Sequence, residues 1–187
     1  MASTFSAPAE REMVTMTSTS ERVRLAVRTH YPPVWRSLRR LGASEADADD
    51  VAQEVFLVFS KRVDDVAPES EKRFLFRTAF RMLATARRSR SRRREESDDA
   101  IDEVRDSAPT PEEQWDERQR LETLDRLLGQ LPFELRAVLT LCAIEQVTAR
   151  DAAEILELPQ GTVASRLARA RDTMAELVRR ERARGPR

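Results

Sequence analysis

Apolar residues recur along the chain at three- and four-residue spacing, and the stripes they form predict a run of helices in two blocks. In the first block Val23, Val27 and Tyr31 make one stripe, and Val34, Leu38 and Leu41 make the next. Pro32 and Pro33 stand between them and are expected to interrupt or kink the helix, because proline lacks the N–H donor and crowds the preceding turn. Gly42 suits the helix end, and Ser44 with Asp47 three residues on resembles a helix start. From there Ala48, Val51, Ala52, Val55, Phe56 and Phe59 fall at i, i+3, i+4, i+7 spacing. VDDVAPESEK is a loop by composition. A further helix carries Phe74, Leu75, Thr78, Met82 and Leu83 inward and runs out into an arginine tract.

The second block opens near Trp115, with Leu121, Leu124, Leu127 and Leu128 along one face. LPFEL marks a break, Pro132 fits the first turn of the next helix, and Leu135 to Ile144 reads as an apolar helix. Two short helices follow, about 149–156 and 160–177. Between and around the blocks the periodicity fails. Residues 1–20 are rich in Ser, Thr, Ala and Pro and are expected to be disordered. Residues 95–117 hold SAPTP and eleven acids and read as a linker. The expected organisation is therefore all-α: a first helical domain over 21–94, a flexible acidic linker over 95–117, a second helical domain over 118–180 and a basic tail over 181–187.

Composition supports that reading. Of the 187 residues, 35% are charged, 5% are aromatic and only four are glycine, so small helical domains with thin cores fit better than one large core. The formal net charge is zero, yet its distribution is uneven. Lys72 to Arg94 holds ten basic residues and no acid; Glu95 to Glu117 holds eleven acids and one base; Gly161 to Arg187 holds eight bases and three acids. Six of the arginines lie between Arg87 and Arg94, directly against the acidic run. A basic segment beside a helix suggests a nucleic-acid footprint that the total conceals. The single cysteine, Cys142, lies in VLTLCAI and reads as a small core residue. No stretch approaches the length of an apolar membrane span, so a cytoplasmic protein without membrane insertion is expected.

TARDAAEILELPQGTVASRLARARDTM has the pattern of a helix-turn-helix. Thr148 is placed to cap the first helix, and Ala152 and Ala153 are small where the second must cross. Ile155 and Leu156 face the joint core. Val163, Leu167, Ala170, Met174 and Leu177 make the buried stripe of the second helix. Thr162, Ser165, Arg166 and Arg169 remain on the outer face, where hydroxyls at a helix start can grip phosphate and arginine can bond a guanine edge. The turn usually takes glycine at a left-handed position, and Glu157 stands there at a cost of about 1 kcal/mol.

Read together, these pieces resemble the bacterial RNA polymerase sigma factors of the extracytoplasmic-function group, over about Val23 to Arg180. DADDVAQEVFLVFSKR looks like the polymerase-binding helix of region 2, RFLFRTAFRMLATARR like its promoter-melting helix, and LPFELRAVLTL with EILELPQGTVASRLARAR like region 4. Four positions depart from the usual pattern: Phe74 for tryptophan, Arg81 for asparagine, Thr85 for aspartate and Ala164 for a basic residue. The first three leave the downstream promoter contacts open, and Ala164 removes one contact upstream.

The resemblance implies core polymerase and promoter DNA as partners, with an anti-sigma factor as a further candidate, and no cofactor or metal. Asp47, Asp50, Gln53, Glu54 and Phe56 would meet the polymerase, an acidic and amide face suited to a basic, partly apolar groove. Arg73, Phe74, Phe76, Arg77, Arg81, Arg87 and Arg88 would serve the downstream element and strand opening: cations for phosphate, and phenyl rings for stacking unless they belong to the core. Thr162, Ser165, Arg166 and Arg169 would read the upstream element. The linker would follow polymerase channels that otherwise hold nucleic acid. Two other readings compete. A stand-alone helix-turn-helix regulator should show a sensor or dimerisation domain, and no such signal is seen. An enzyme should show a nucleophile, phosphate-loop or metal motif. The single His30 reads as a surface residue, and Asp49 and Asp50, adjacent on a helix, point apart.

Overall fold

The computed structural model describes residues 8–95 and 112–183, with side chains described over 19–88 and 119–183. Among these residues there are seven α-helices and no strand: α1 (Pro8–Arg40), α2 (Glu45–Arg62), α3 (Glu71–Glu95), α4 (Glu112–Gly129), α5 (Phe133–Leu139), α6 (Ala149–Leu156) and α7 (Gln160–Ala183). Helices α1–α3 form one packed unit and α4–α7 another.

Helix α1 begins at Pro8, inside the stretch expected to be disordered, and it runs through Pro32 and Pro33, which therefore do not interrupt it. Proline suits a first helical turn. The inner pair costs donors that would have met carbonyls one turn earlier, at Arg28 and Thr29; both are exposed, so water can replace the lost bonds. Buried Ala26 on one side and Val34, Leu38 and Leu41 on the other hold the two halves to the same core. Gly42 ends the helix with φ +91°, a region that favours glycine.

Ser44 caps α2 as expected, its Oγ accepting from the Asp47 N–H at 3.1 Å. The loop after α2 resolves into two single 3-10 turns, Val63–Asp65 and Pro68–Ser70. Arg22 pins them to α1, donating to the Val63 carbonyl at 2.9 Å, to the Val66 carbonyl and to Glu71.

In the second unit, α4 starts at Glu112, so the last residues of the expected linker are helical. The apolar segment expected as one helix is split: α5 ends at Leu139, and Thr140–Ile144 form a π turn closed by the Glu145 N–H on the Thr140 carbonyl at 2.9 Å. The wider turn swings Glu145 inward and leaves Gln146 at φ 54°. Thr148 caps α6, accepting from the Asp151 N–H at 3.1 Å. Glu157 takes the left-handed position at φ 54°, ψ 45°, as the helix-turn-helix pattern requires. Helix α7 extends to Ala183, beyond the expected end near Leu177 and into the segment read as a tail.

The core also differs from the thin, separate ones expected. One buried cluster joins Leu38, Val55, Phe59, Leu75 and Phe76 of the first unit to Val138, Leu141, Ile155 and Val163 of the second. A smaller cluster, built on Leu128, Leu131, Leu135, Leu139 and Ala170, seats α4 and α5 against α7. The units thus abut through α3 and α6, and this contact decides what the candidate sites expose.

Candidate polymerase and nucleic-acid interfaces

Helix α2 buries Ala48, Ala52, Val55, Phe56 and Phe59 and turns Asp50, Gln53, Glu54 and Leu57 to solvent on the opposite side. These four fall at i, i+3, i+4, i+7 and make one stripe. Two residues expected on this surface are elsewhere. Phe56 is 7% exposed and packs on Tyr31, ring centroids 5.7 Å apart, because it lies on the core side of the same periodicity. The Asp47 carboxylate is bonded to Ser44 at the helix start. The apolar group on the stripe is instead Leu57, 53% exposed. Its phase, one turn beyond Gln53 and Glu54, would have identified it from spacing alone. Asp49 faces inward to α1, accepting from Trp35 Nε1 at 2.7 Å and from Tyr31 at 3.4 Å. That acceptor, together with burial, raises the Tyr31 pKa: burial first, then the Asp49 charge and hydrogen bond.

On α3, Arg73, Arg77 and Arg81 fall at four-residue intervals on one side. Phe76 is fully buried and tilted against Phe80, so it is a core residue and offers no stacking surface. Phe74 is half-buried, with Phe59 on one side at 6.0 Å between centroids and the Arg62 guanidinium 5.8 Å from its ring. Helix α6 and the turn residue Glu157 after it lie along this stripe and supply acids whose partners sequence spacing does not reveal. Arg73 Nη1 meets Asp151 at 3.2 Å and Glu154 at 3.1 Å; Arg77 Nη2 meets Glu157 at 3.2 Å, and Arg81 Nη1 lies 3.6 Å from the same carboxylate. The partners are between about one-third and two-thirds exposed, so each pair contributes at most about 1 kcal/mol.

Arg87 does not extend freely either. Its guanidinium lies 4.4 Å from the centre of the Phe133 ring and donates to the Leu41 carbonyl at 3.2 Å. Arg88 bonds back to Thr85. The side chains of the arginines from Arg90 to Arg94 lie outside the described residues, as does the linker over 96–111.

On α7, Val163 and Ala170 are buried, while Ser165 and Arg169 are exposed and Thr162 and Arg166 are partly so. All four predicted upstream residues therefore share the outer side of the second helix of the helix-turn-helix. Arg171, also exposed, adds a cation nearby. Cys142 is half-buried, and burial pushes its thiol pKa up, with Arg171 working weakly in the other direction. Among the described residues no three His, Cys, Asp or Glu side chains converge where a metal ion could be held. No described helix is long and apolar enough to cross a membrane.

Two helical units, one with a solvent-facing acidic stripe beside an arginine-bearing helix and one with a helix-turn-helix, define a transcription factor of the sigma class. The family description "Sigma-70 region 2" matches residues 26–105, and "Sigma-70, region 4" matches residues 121–174. The RNA polymerase sigma factor CnrH of Cupriavidus metallidurans is 30% identical over 160 residues, covering 81% of this chain and 84% of that protein. The ECF RNA polymerase sigma factor SigE of Mycolicibacterium smegmatis is 30% identical over 153 residues, and this chain spans 60% of its length. Among solved structures, the sigma factor RpoE of Bartonella quintana, in complex with the anti-sigma factor NepR, has the same fold. Its TM-score is 0.71 at 22% identity, over 83% of this chain and 96% of that one. The chain belongs to the sigma-70 family of RNA polymerase sigma factors, in the extracytoplasmic-function group.

Proposed function

We propose that this chain is the promoter-specifying subunit of a bacterial RNA polymerase, acting in the cytoplasm and catalysing no reaction itself. The observation that carries the proposal is the α2 stripe. Asp50, Gln53, Glu54 and Leu57 are presented to solvent on the unit that also carries the α3 arginines, and the same chain holds a helix-turn-helix with an exposed hydroxyl and arginine side. A stand-alone regulator has no use for the first of these surfaces.

In this reading the stripe docks on the polymerase, with Leu57 supplying the apolar centre and Asp50 and Glu54 the charge complement. Thr162, Ser165, Arg166 and Arg169 hold the upstream duplex, hydroxyls on phosphate and arginines on base edges. Arg73, Arg77 and Arg81 hold the backbone of the opened strand. Residues 95–117 carry the chain between the two promoter contacts, and their acids suit a channel that otherwise takes nucleic acid. The fold shared with a sigma factor found in complex with an anti-sigma factor favours an antagonist of that kind as a further partner.

The test is transcription in vitro from genomic fragments with bacterial core polymerase, with start sites mapped. Discrete starts that require the protein and share an upstream element are expected. Duplex binding without core binding or new starts would place the protein among stand-alone regulators.

A further inference from the structure

We infer that the outer side of α1 is a further DNA contact: Arg24, Arg28 and Arg36 grip the phosphate backbone of duplex DNA, apart from the α3 and α7 surfaces. Most of the described arginines are engaged within the protein. Arg22, Arg40 and Arg73 meet acids, Arg136 holds two carbonyls, and Arg39 and Arg87 lie against rings. Among the described residues, guanidinium groups that no acid, hydrogen-bond acceptor or ring meets occur on two helices, α1 and α7. On α7 they include Arg166 and Arg169, on the outer side of the helix-turn-helix. On α1 they are Arg24, Arg28 and Arg36, all three exposed. Cations without an internal partner keep their charge available to an anion from outside.

Ala26, Val34 and Leu38 face the core, so the three arginines stand on the solvent side of α1. Along the helix axis they cover about 18 Å, the advance of about five nucleotides on one duplex strand. Thr29, exposed beside Arg28, adds a hydroxyl donor for phosphate. Glu21, also exposed, lies one turn before Arg24 and bounds the row at that end. Duplex DNA fits this side better than a single strand or an acidic protein. A single strand calls for rings on which bases stack. The nearest rings in sequence, Tyr31 and Trp35, are partly buried and both donate to Asp49. A protein partner calls for a packed apolar centre. Leu25 is the large apolar residue exposed here, and it stands toward one end of the row.

Phosphate contacts of this kind give affinity and fix orientation without choosing sequence. The α1 row thus raises the affinity of every promoter alike and leaves the choice among them to α7. The exposed acids Asp50 and Glu54 of α2, on the same unit, repel phosphate, so the unit meets the duplex with α1 rather than α2.

The test measures binding of the full chain to a labelled DNA duplex of arbitrary sequence over a range of salt concentrations. R24Q/R28Q/R36Q is compared with R120Q/R126Q/R179Q, which removes three exposed arginines of α4 and α7 that belong to no proposed contact. Each phosphate contact contributes about 0.9 to the slope of log K against log salt, so the slope should fall by about two to three in the α1 variant. Binding at low salt should weaken at least tenfold there, while the control keeps its slope within about 0.5. R24K/R28K/R36K keeps the cations and should keep the slope, which separates lost phosphate contacts from a damaged fold. Equal losses in the two glutamine variants would reduce the effect to bulk charge and overturn the inference. So would an unchanged slope in R24Q/R28Q/R36Q, or a slope lost equally in R24K/R28K/R36K. A loss seen with a single-stranded probe alone, or with core polymerase alone, would give this side of α1 to that partner and overturn the duplex assignment. Transcription with core polymerase tests the proposed function separately, because the duplex slope is read without polymerase.

Discussion

His30 is the chain's single histidine, and it lies partly buried on α1 rather than on the surface where the sequence reading put it. Burial lowers its pKa below the ordinary 6.5, with Glu71 raising it and Lys72 lowering it to smaller extents. The unfolded chain therefore takes up a proton at higher pH than the folded one. Between those two values the unfolded state binds more protons, so stability is full above about 6.5 and falls as pH drops through the folded value. Thermal midpoints at about pH 7.5 and about pH 5.5 should show this loss, and His30→Gln should reduce the slope; an unchanged slope would remove His30 from the account. Arg136 poses the opposite problem, a cation held away from water. Its guanidinium donates to the Gly129 carbonyl at 2.7 Å and the Leu131 carbonyl at 2.9 Å, and reaches toward that of Arg40 at 3.4 Å. Burial lowers its pKa, and Arg87 nearby adds to the effect. Its Nε is buried without a partner. Arg136→Ala strips the carbonyls of Gly129, at the end of α4, and Leu131, just beyond it, of their donor and should cost about 2 kcal/mol, read as a shifted denaturant midpoint. Arg136→Lys should recover only part of it, since one ammonium cannot reproduce the fork.

The element scale shows what spacing can and cannot reveal. The stripes that predicted α2, α3, α6 and α7 were legible because each helix buries one side, and period 3.6 carries that information locally. Thr148, Ser44 and Glu157 were legible for the same reason: caps and left-handed turns are set by neighbours in sequence. The π turn at Thr140–Ile144 was not: Glu145, which follows it, finds its partners Ser37 and Arg40 on α1, more than a hundred residues away in sequence. Asp151, Glu154 and Glu157 are illegible for a related reason, since exposed acids acquire meaning only from what packs on them. Two variants test these readings. Gln146→Gly should stabilise the protein by up to about 1 kcal/mol, because Gln146 holds φ 54° where a side chain is disfavoured. A lower melting midpoint would show that the Gln146 side chain matters more than its backbone. Leu57→Asp should leave the melting midpoint unchanged and weaken core-polymerase binding tenfold or more, roughly the loss of one central apolar contact. Retained binding would move the docking surface off α2.

At the scale of the whole molecule, Glu145 lies where the two units meet. It is 9% exposed and accepts from Ser37 Oγ at 3.1 Å, with Arg40 Nη1 at 3.7 Å. Arg40 also donates to Asp125 at 3.0 Å, so α1, α4 and the π turn share a single polar node. Because the larger buried cluster also runs across the units, separating them exposes apolar surface as well as this node. Glu145→Ala deprives Ser37 and Arg40 of a buried acceptor while leaving the core intact. With Asp125 still in place the loss should be about 2 kcal/mol, short of the full cost of orphaning a buried charge. The location of that loss matters more than its size. It falls on the contact between units, so the second unit should lose the support of the first. Calorimetry should resolve two transitions in the variant where the wild type shows one. Glu145→Gln keeps an oxygen for Ser37 and should fall between the two. A single transition at an unchanged midpoint in Glu145→Ala would mean that the units fold together through the apolar cluster alone.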